Sequence, residues 1–173
     1  LESIPKDIEV AYYLVHSMTE IVSNLSDAEN DVVRQFLMGI KNTSVKQIIY
    51  LGAIINDETQ LSPHLKSRLL VEKSLKESGI PITVLRASII IGAGSASFEI
   101  IRDLCEKLPI MIAPKWVQSL CQPIAIEDVL FYLSNVLMNK ECFNQTFDIG
   151  GPDVFTFKEL MLEYAKFRDL KRW

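Results

Sequence analysis

A doubly wound α/β fold with a parallel sheet is what this sequence predicts, on three observations. Apolar runs of strand length alternate with helical periodicity along the whole chain, the runs are continuously apolar, and no repeat or low-complexity linker interrupts them. With 173 residues, 49% hydrophobic and 23% charged, the chain has the size and composition of one globular domain and not of a disordered chain or a disulfide scaffold.

The first element is a strand over Val10 to Val15, whose unbroken apolar run suits burial on both faces. Ser26-Asp-Ala-Glu29 reads as a capping box, and Ala28, Val32, Val33, Phe36, Leu37 and Ile40 follow at helical spacing. Val45 to Leu51 is the second strand, Leu61 to Ser78 the second helix, and Gly79-Ile-Pro81 the stop that leads into a strand at Ile82 to Leu85. Strand-like Ile89 to Ile91 runs into Gly92-Ala-Gly-Ser-Ala-Ser97 and a helix carrying Phe98, Ile101, Leu104 and Cys105. Pro109, Pro114 and Pro123 divide the next stretch into short extended pieces. A helix follows over Ile126 to Met138, with Glu127 and Asp128 favouring its dipole from the first turn. The last strand, Gln145 to Ile149, ends in Gly150-Gly-Pro152, and Thr156-Phe-Lys-Glu159 is a capping box that opens a terminal helix.

Charge and cysteine content narrow the function classes. Eighteen Lys and Arg stand against 22 Asp and Glu, a net charge of -4, and no basic block interleaves with aromatics, which argues against a nucleic-acid partner. The three cysteines, Cys105, Cys121 and Cys142, have no CxxC spacing, so neither a zinc site nor a disulfide framework is indicated and a reducing cytosol fits best. No apolar run approaches the roughly 20 residues of a membrane span, and the first residues do not read as a secretory signal. A dinucleotide-binding sheet of this kind begins with a strand, a Gly-rich turn and a helix, and no GxGxxG or GxxGxxG occurs here. The chain is therefore expected to lack the N-terminal strands of its sheet and to stop inside its terminal helix.

The segments Ala11-Tyr-Tyr-Leu-Val-His-Ser-Met18, Ile48-Ile-Tyr-Leu-Gly52, Leu61-Ser-Pro-His-Leu-Lys-Ser-Arg68, Val84-Leu-Arg-Ala-Ser-Ile-Ile-Ile-Gly92 and Phe147-Asp-Ile-Gly-Gly-Pro152 come in a distinctive order. In that order the chain resembles the atypical short-chain dehydrogenase/reductases, the NAD(P)-binding epimerase/NmrA-like group, and within it a bacterial branch with the Tyr-Tyr-Leu-Val-His-Ser-Met motif. The resemblance implies a partial Rossmann-like domain over 1–173, with 108–124 and 151–173 contributing to a small substrate-side lobe. It implies NAD or NADP as cofactor, NADP being favoured, and an oxidoreductase acting on a small molecule. The alternative is a non-catalytic nucleotide-binding module used for regulation or assembly, with a small-molecule effector.

Residue by residue, the resemblance places His16 and Ser17 near the central portion of the cofactor, and Gly52 and Ala53 where the group often has a catalytic Ser. Its Tyr-x-x-x-Lys pair falls on His64 and Arg68. Ala87, Ser88 and Ile89 would pass beside the nicotinamide, and Gly94, Ser95 and Ser97 would border the substrate. All the usual catalytic residue types are thus replaced. His64 becomes the candidate proton donor, since imidazole titrates near neutrality, and Arg68 the candidate ribose or carbonyl ligand.

Helical geometry examines the same pair independently. At about 100° per residue, with Leu61 as zero, Leu65 falls near 40°, Arg68 near -20°, Glu72 near 20°, Leu75 near -40° and His64 near -60°. Polar residues therefore share the apolar arc. A structural ion pair between Arg68 and Glu72 at i,i+4 is the alternative to a ligand site. By the same weighing, Ser95 or Ser97 caps its helix, His16 is a ligand or a loop histidine, Arg86 anchors a carboxylate or carbonyl, and Cys105 is an inert core thiol.

Overall fold

The computed structural model describes residues 4–15, 25–55, 61–107 and 115–171. They form two compact units: Leu1–Arg86 with Tyr132–Asp148, and Ala87–Phe131 with Ile149–Trp173. In chain order the elements are β1 (Val10–Tyr13), α1 (Leu25–Ile40), β2 (Gln47–Ala53), α2 (Pro63–Lys76), β3 (Ile82–Ala87), β4 (Ile90–Ile91), α3 (Ala96–Lys107), β5 (Leu120–Cys121), β6 (Ile124–Ala125), α4 (Ile126–Asn135), β7 (Gln145–Ile149), β8 (Phe155–Thr156) and α5 (Phe157–Phe167).

The first unit is built on a parallel sheet in the order β1-β2-β3-β7. β1 and β2 pair from Val10 opposite Gln47 to Tyr13 opposite Tyr50, and the Ile48 amide donates to the Pro81 carbonyl at 2.9 Å just ahead of β3. Because strand side chains alternate, Ala11, Tyr13, Ile48, Tyr50, Ile82 and Val84 share one face of the sheet. They form a core with Val33 and Ile40 of α1 and Val71 and Leu75 of α2. On the opposite face Gln47 is fully buried, and its carboxamide is saturated. Nε2 donates to Thr83 Oγ1 and to the Val136 carbonyl, both at 2.9 Å, and Oε1 accepts from the Met138 amide at 2.6 Å. Met138 has φ +53, so α4 closes through a left-handed residue that Gln47 holds.

The second unit has two short ribbons, β4 parallel to β6 and β5 antiparallel to β8. Its core joins Ile89, Ile101, Cys105, Val117, Cys121, Leu160 and Met161. Glycine is required at two close approaches. A Cβ on Gly92 would stand 2.6 Å from Ile126 Cγ2, and one on Gly151 would stand 2.6 Å from the Pro123 carbonyl oxygen. The Thr156–Glu159 capping box opens α5 as its sequence predicts, with Glu159 N–H donating to Thr156 Oγ1 at 3.1 Å.

Several boundaries move. β1 ends at Tyr13, and the apolar Leu14 and Val15 beyond it are exposed, because the last strand pairing is already made at Tyr13. Ser26 is the second residue of α1 and so not its N-cap, and Glu29 accepts from the Ser67 hydroxyl of α2. α4 stops at Asn135, three residues short of the expected Met138, where the left-handed turn intervenes.

Candidate active site

α2 carries the chemistry of the first unit. Ser62 is its N-cap, with Oγ accepting from the Leu65 amide at 3.3 Å, and Pro63 occupies the first helical position, where a missing N–H costs nothing. His64 follows in the first turn and is exposed, outside the buried arc that the helical wheel gave it. Arg68, one turn further on, is 8% exposed and lies against β2.

There the Tyr50 hydroxyl donates to the Arg68 carbonyl at 3.3 Å. Burial pushes the Tyr50 phenol up to about 12, against the lowering pull of the Arg68 guanidinium. The ring of Tyr13 meets that of Tyr50 edge-on at 5.9 Å. Its phenol is raised as well, by burial and then by the charge of Glu29, with Arg68 opposing. Both phenols are therefore neutral near pH 7. Glu29 itself is buried on α1 and holds the hydroxyl of Ser67, the residue before Arg68.

One turn along the same helix, Glu72 is held differently. Arg86 on β3 donates to it through Nε at 2.9 Å and an Nη at 2.8 Å, a two-pronged contact, and Lys76 adds a third bond at 2.6 Å. Burial pushes the Glu72 carboxyl up, but the hydrogen bonds from Arg86 and Lys76 outweigh it and the net shift is downward. The ion pair that spacing suggested for Glu72 with Arg68 is thus made with Arg86 and Lys76. Among the described residues Arg68 makes no ion pair.

Of the remaining candidates, Gly52 and Ala53 end β2 and are half-buried. Gly52 lies under the Tyr50 ring, where a Cβ would stand 2.9 Å from Cε1. In this unit the structure therefore brings Gly52 and Arg68 together through Tyr50. Ala87, Ser88, Ile89, Gly94, Ser95 and Ser97 belong to the second unit. Ala87 and Ile89 are buried, and the Ile89 carbonyl accepts from the Ile124 amide at 2.9 Å, while Ser88 is exposed. Gly94 has φ +80, Ser95 Oγ accepts from the Phe98 amide at 3.4 Å at the start of α3, and Ser97 is exposed in the first turn. His16 and Ser17 lie outside the described residues. Cys105 is fully buried, with Sγ 3.4 Å from the Met161 carbonyl. Tyr50, Glu29 and Ser67 are the residues the sequence reading missed. The tyrosine sits inside an apolar strand run, and the glutamate reads as a capping residue.

No protein-family profile matches the sequence, and no curated protein matches it either. Solved structures do. UDP-glucuronic acid 4-epimerase from Bacillus cereus, in complex with UDP-glucuronic acid and NAD, superposes with TM-score 0.73 at 18% identity over 95% of this chain and 61% of that one. A short-chain dehydrogenase/reductase superfamily protein from Agrobacterium tumefaciens with bound NAD gives 0.72 at 12% identity, over 94% and 66%. The triphenylmethane reductase of Citrobacter sp., complexed with NADP(H), gives 0.66 at 18%, over 95% and 54%. The fold is that of the short-chain dehydrogenase/reductases. In each case the chain spans less than two thirds of the length of the matched structure. In this chain β1, β2, β3 and β7 form the four-stranded sheet of the first unit, and α2 is the helix that follows β2. No helix among the described residues is long and apolar enough to cross a membrane, and none of their His, Cys, Asp and Glu side chains cluster as a metal site.

Proposed function

We propose that this chain is part of an NAD(P)-binding oxidoreductase of the atypical short-chain dehydrogenase/reductase type, acting on a small molecule, with His64 and Arg68 at the nicotinamide end. The observation that carries this reading is the pairing on α2 of an exposed imidazole with a guanidinium four residues on, the spacing of the Tyr-x-x-x-Lys pair that the sequence resemblance matches to them. The donor set suits the group. A guanidinium keeps its proton and offers several N–H donors to ribose hydroxyls, while Gly52 and Ala53 leave no bulky side chain at the end of β2. The dinucleotide, when bound, supplies the hydride chemistry. On this reading Arg68 orients the ribose, and His64 gives a proton to the substrate oxygen or takes one from it.

The test is a titration with NADH and NADPH, followed by steady-state turnover over a panel of carbonyl compounds. Saturable binding, tighter for NADPH, is expected. His64→Phe should lower kcat by ~10²-fold with dinucleotide affinity nearly unchanged. Turnover that survives His64→Phe intact rejects the proton-transfer role. The burial of Arg68 favours a second reading, a non-catalytic module in which the bound nucleotide stabilises the fold. It predicts a dinucleotide-dependent rise in Tm with no turnover of any carbonyl.

A further inference from the structure

β7 is an outer strand of the four-stranded sheet, and among the described residues no strand pairs with its free edge. Gln145, Thr146, Phe147 and Asp148 are all exposed there. Free edges are ordinarily blunted by a proline or a lysine, or covered by a helix or loop. Gln145-Thr-Phe-Asp-Ile149 has neither residue, and its exposure means that no described segment covers it. The two faces of the strand carry different groups. Thr146 Oγ1 accepts from Lys76 Nζ of α2 at 3.1 Å, so Thr146 and, two residues on, Asp148 point to the α2 side. Phe147 points to the opposite side, that of Gln47, where Leu137 and Met138 are also exposed in the turn held by the Gln47 carboxamide. Asp148 makes no ion pair among the described residues. Lys76 uses two of its three N–H donors, on Glu72 and on Thr146, and its side chain is 43% exposed.

We propose that the β7 edge is the docking site of a second copy of this chain, whose own β7 pairs with it antiparallel about a two-fold axis at Phe147. Symmetry and strand alternation select that register. Residues directly opposite in an antiparallel pair face the same side of the sheet, so the axis lies at a residue and not between two. An axis at Phe147 opposes the whole of each strand, 145–149. One at Thr146 opposes only 145–147, and one at Asp148 opposes only 147–149 and sets the two Asp148 carboxylates against each other, which is destabilising. With the axis at Phe147, Thr146 of each copy stands opposite Asp148 of the other. The incoming carboxylate arrives beside the ammonium that Thr146 already holds, and the remaining Lys76 donor meets it. This charge contact is made twice on the α2 side of a continuous sheet. On the other side the two Phe147 rings cover each other.

Two measurements on the full chain test this. The first is the mass in solution by sedimentation equilibrium. Asp148→Lys sets a second cation against Lys76 and should halve the mass of the assembly. Residue 148 is exposed in the single copy, so circular dichroism should report an intact fold. The second measurement reads the register. Phe147→Cys places two thiols directly opposite, with Cβ atoms about 5 Å apart, and mild oxidation should yield a disulfide-linked dimer on non-reducing electrophoresis. Gln145→Cys should not crosslink, because Ile149 of the second copy stands opposite it and the two new thiols lie roughly 13 Å apart along the ribbon. The parent, with Cys105, Cys121 and Cys142, supplies the background. A mass that Asp148→Lys leaves unchanged overturns the proposal, whether the parent is a monomer or assembles through another face. A Phe147→Cys chain that crosslinks no more than Gln145→Cys overturns it as well. Should Asp148→Lys fail to fold, the two cysteine variants decide.

Discussion

Two turns of α2 bury opposite charges in opposite ways. At Glu72 the chain spends two cations on one carboxylate. Arg86 grips it with two prongs, Lys76 closes over it from solvent, and the result is a self-contained structural joint between α2 and β3. At Arg68 no carboxylate among the described residues lies within ion-pair distance, and the neutral phenol of Tyr50 donates to the backbone carbonyl. Desolvation penalises both charges, so both need partners. The difference lies in what remains for a ligand. The Glu72 joint is electrically complete, whereas among the described residues the Arg68 cation makes no ion pair. A buried ionic residue on a helix facing the sheet is therefore not evidence for one role, and the chemistry of its partner separates the roles.

The comparison breaks most visibly at the joint. Arg86→Met leaves Glu72 buried with only Lys76, and urea unfolding should register a loss of about 3 kcal/mol; a loss below about 1 kcal/mol would place Glu72 among ordinary surface pairs. The two ends should also respond to opposite limbs of the pH scale. The folded Glu72 carboxyl lies below its ordinary value of 4.5, so its contribution to stability is present above that pH and fades as pH falls through the folded value. Glu72→Gln should flatten this acid limb in a series of denaturant titrations. Tyr50 is shifted the other way. Its contribution is complete below pH 10.0 and is lost as pH rises from there through about 12, and Tyr50→Phe should remove that alkaline loss. The smallest effect is expected from Ser62→Ala, which removes the cap of the turn bearing His64 and should cost ~1 kcal/mol in the same unfolding assay.

Much of the fold was readable because its signals are local. The order of strands and helices, the limits of β7 at Gln145 and Ile149, and the Thr156–Glu159 capping box all depend on neighbours a few residues apart. The inward placement of Arg68 and Glu72 was readable too, since a 3.6-residue period places them beside Leu65 and Leu75. Their partners were not. Arg86 lies 14 residues from Glu72 on another element, and Tyr50 lies 18 residues from Arg68 inside a run whose composition says only that it is buried. Glu29 was misread for the same reason, because the local pattern of a capping box concealed a contact 38 residues away with Ser67. His64 shows the opposite failure, where a wheel angle near the edge of the apolar arc did not distinguish a buried position from the exposed one observed.

The amide of Gln47 has a consequence for the time scale of the loop after α4. Val136 and Met138 lie outside regular structure, where backbone protons normally trade with solvent through small local openings. Here the Met138 N–H is committed to a carboxamide that is itself locked between Thr83 and the Val136 carbonyl at the centre of the sheet. Releasing that one proton requires the carboxamide to leave β2, β3 or both. In a deuterium-exchange experiment this irregular turn should accordingly keep its label about as long as the strands do, and the end of α4 should behave kinetically as part of the sheet.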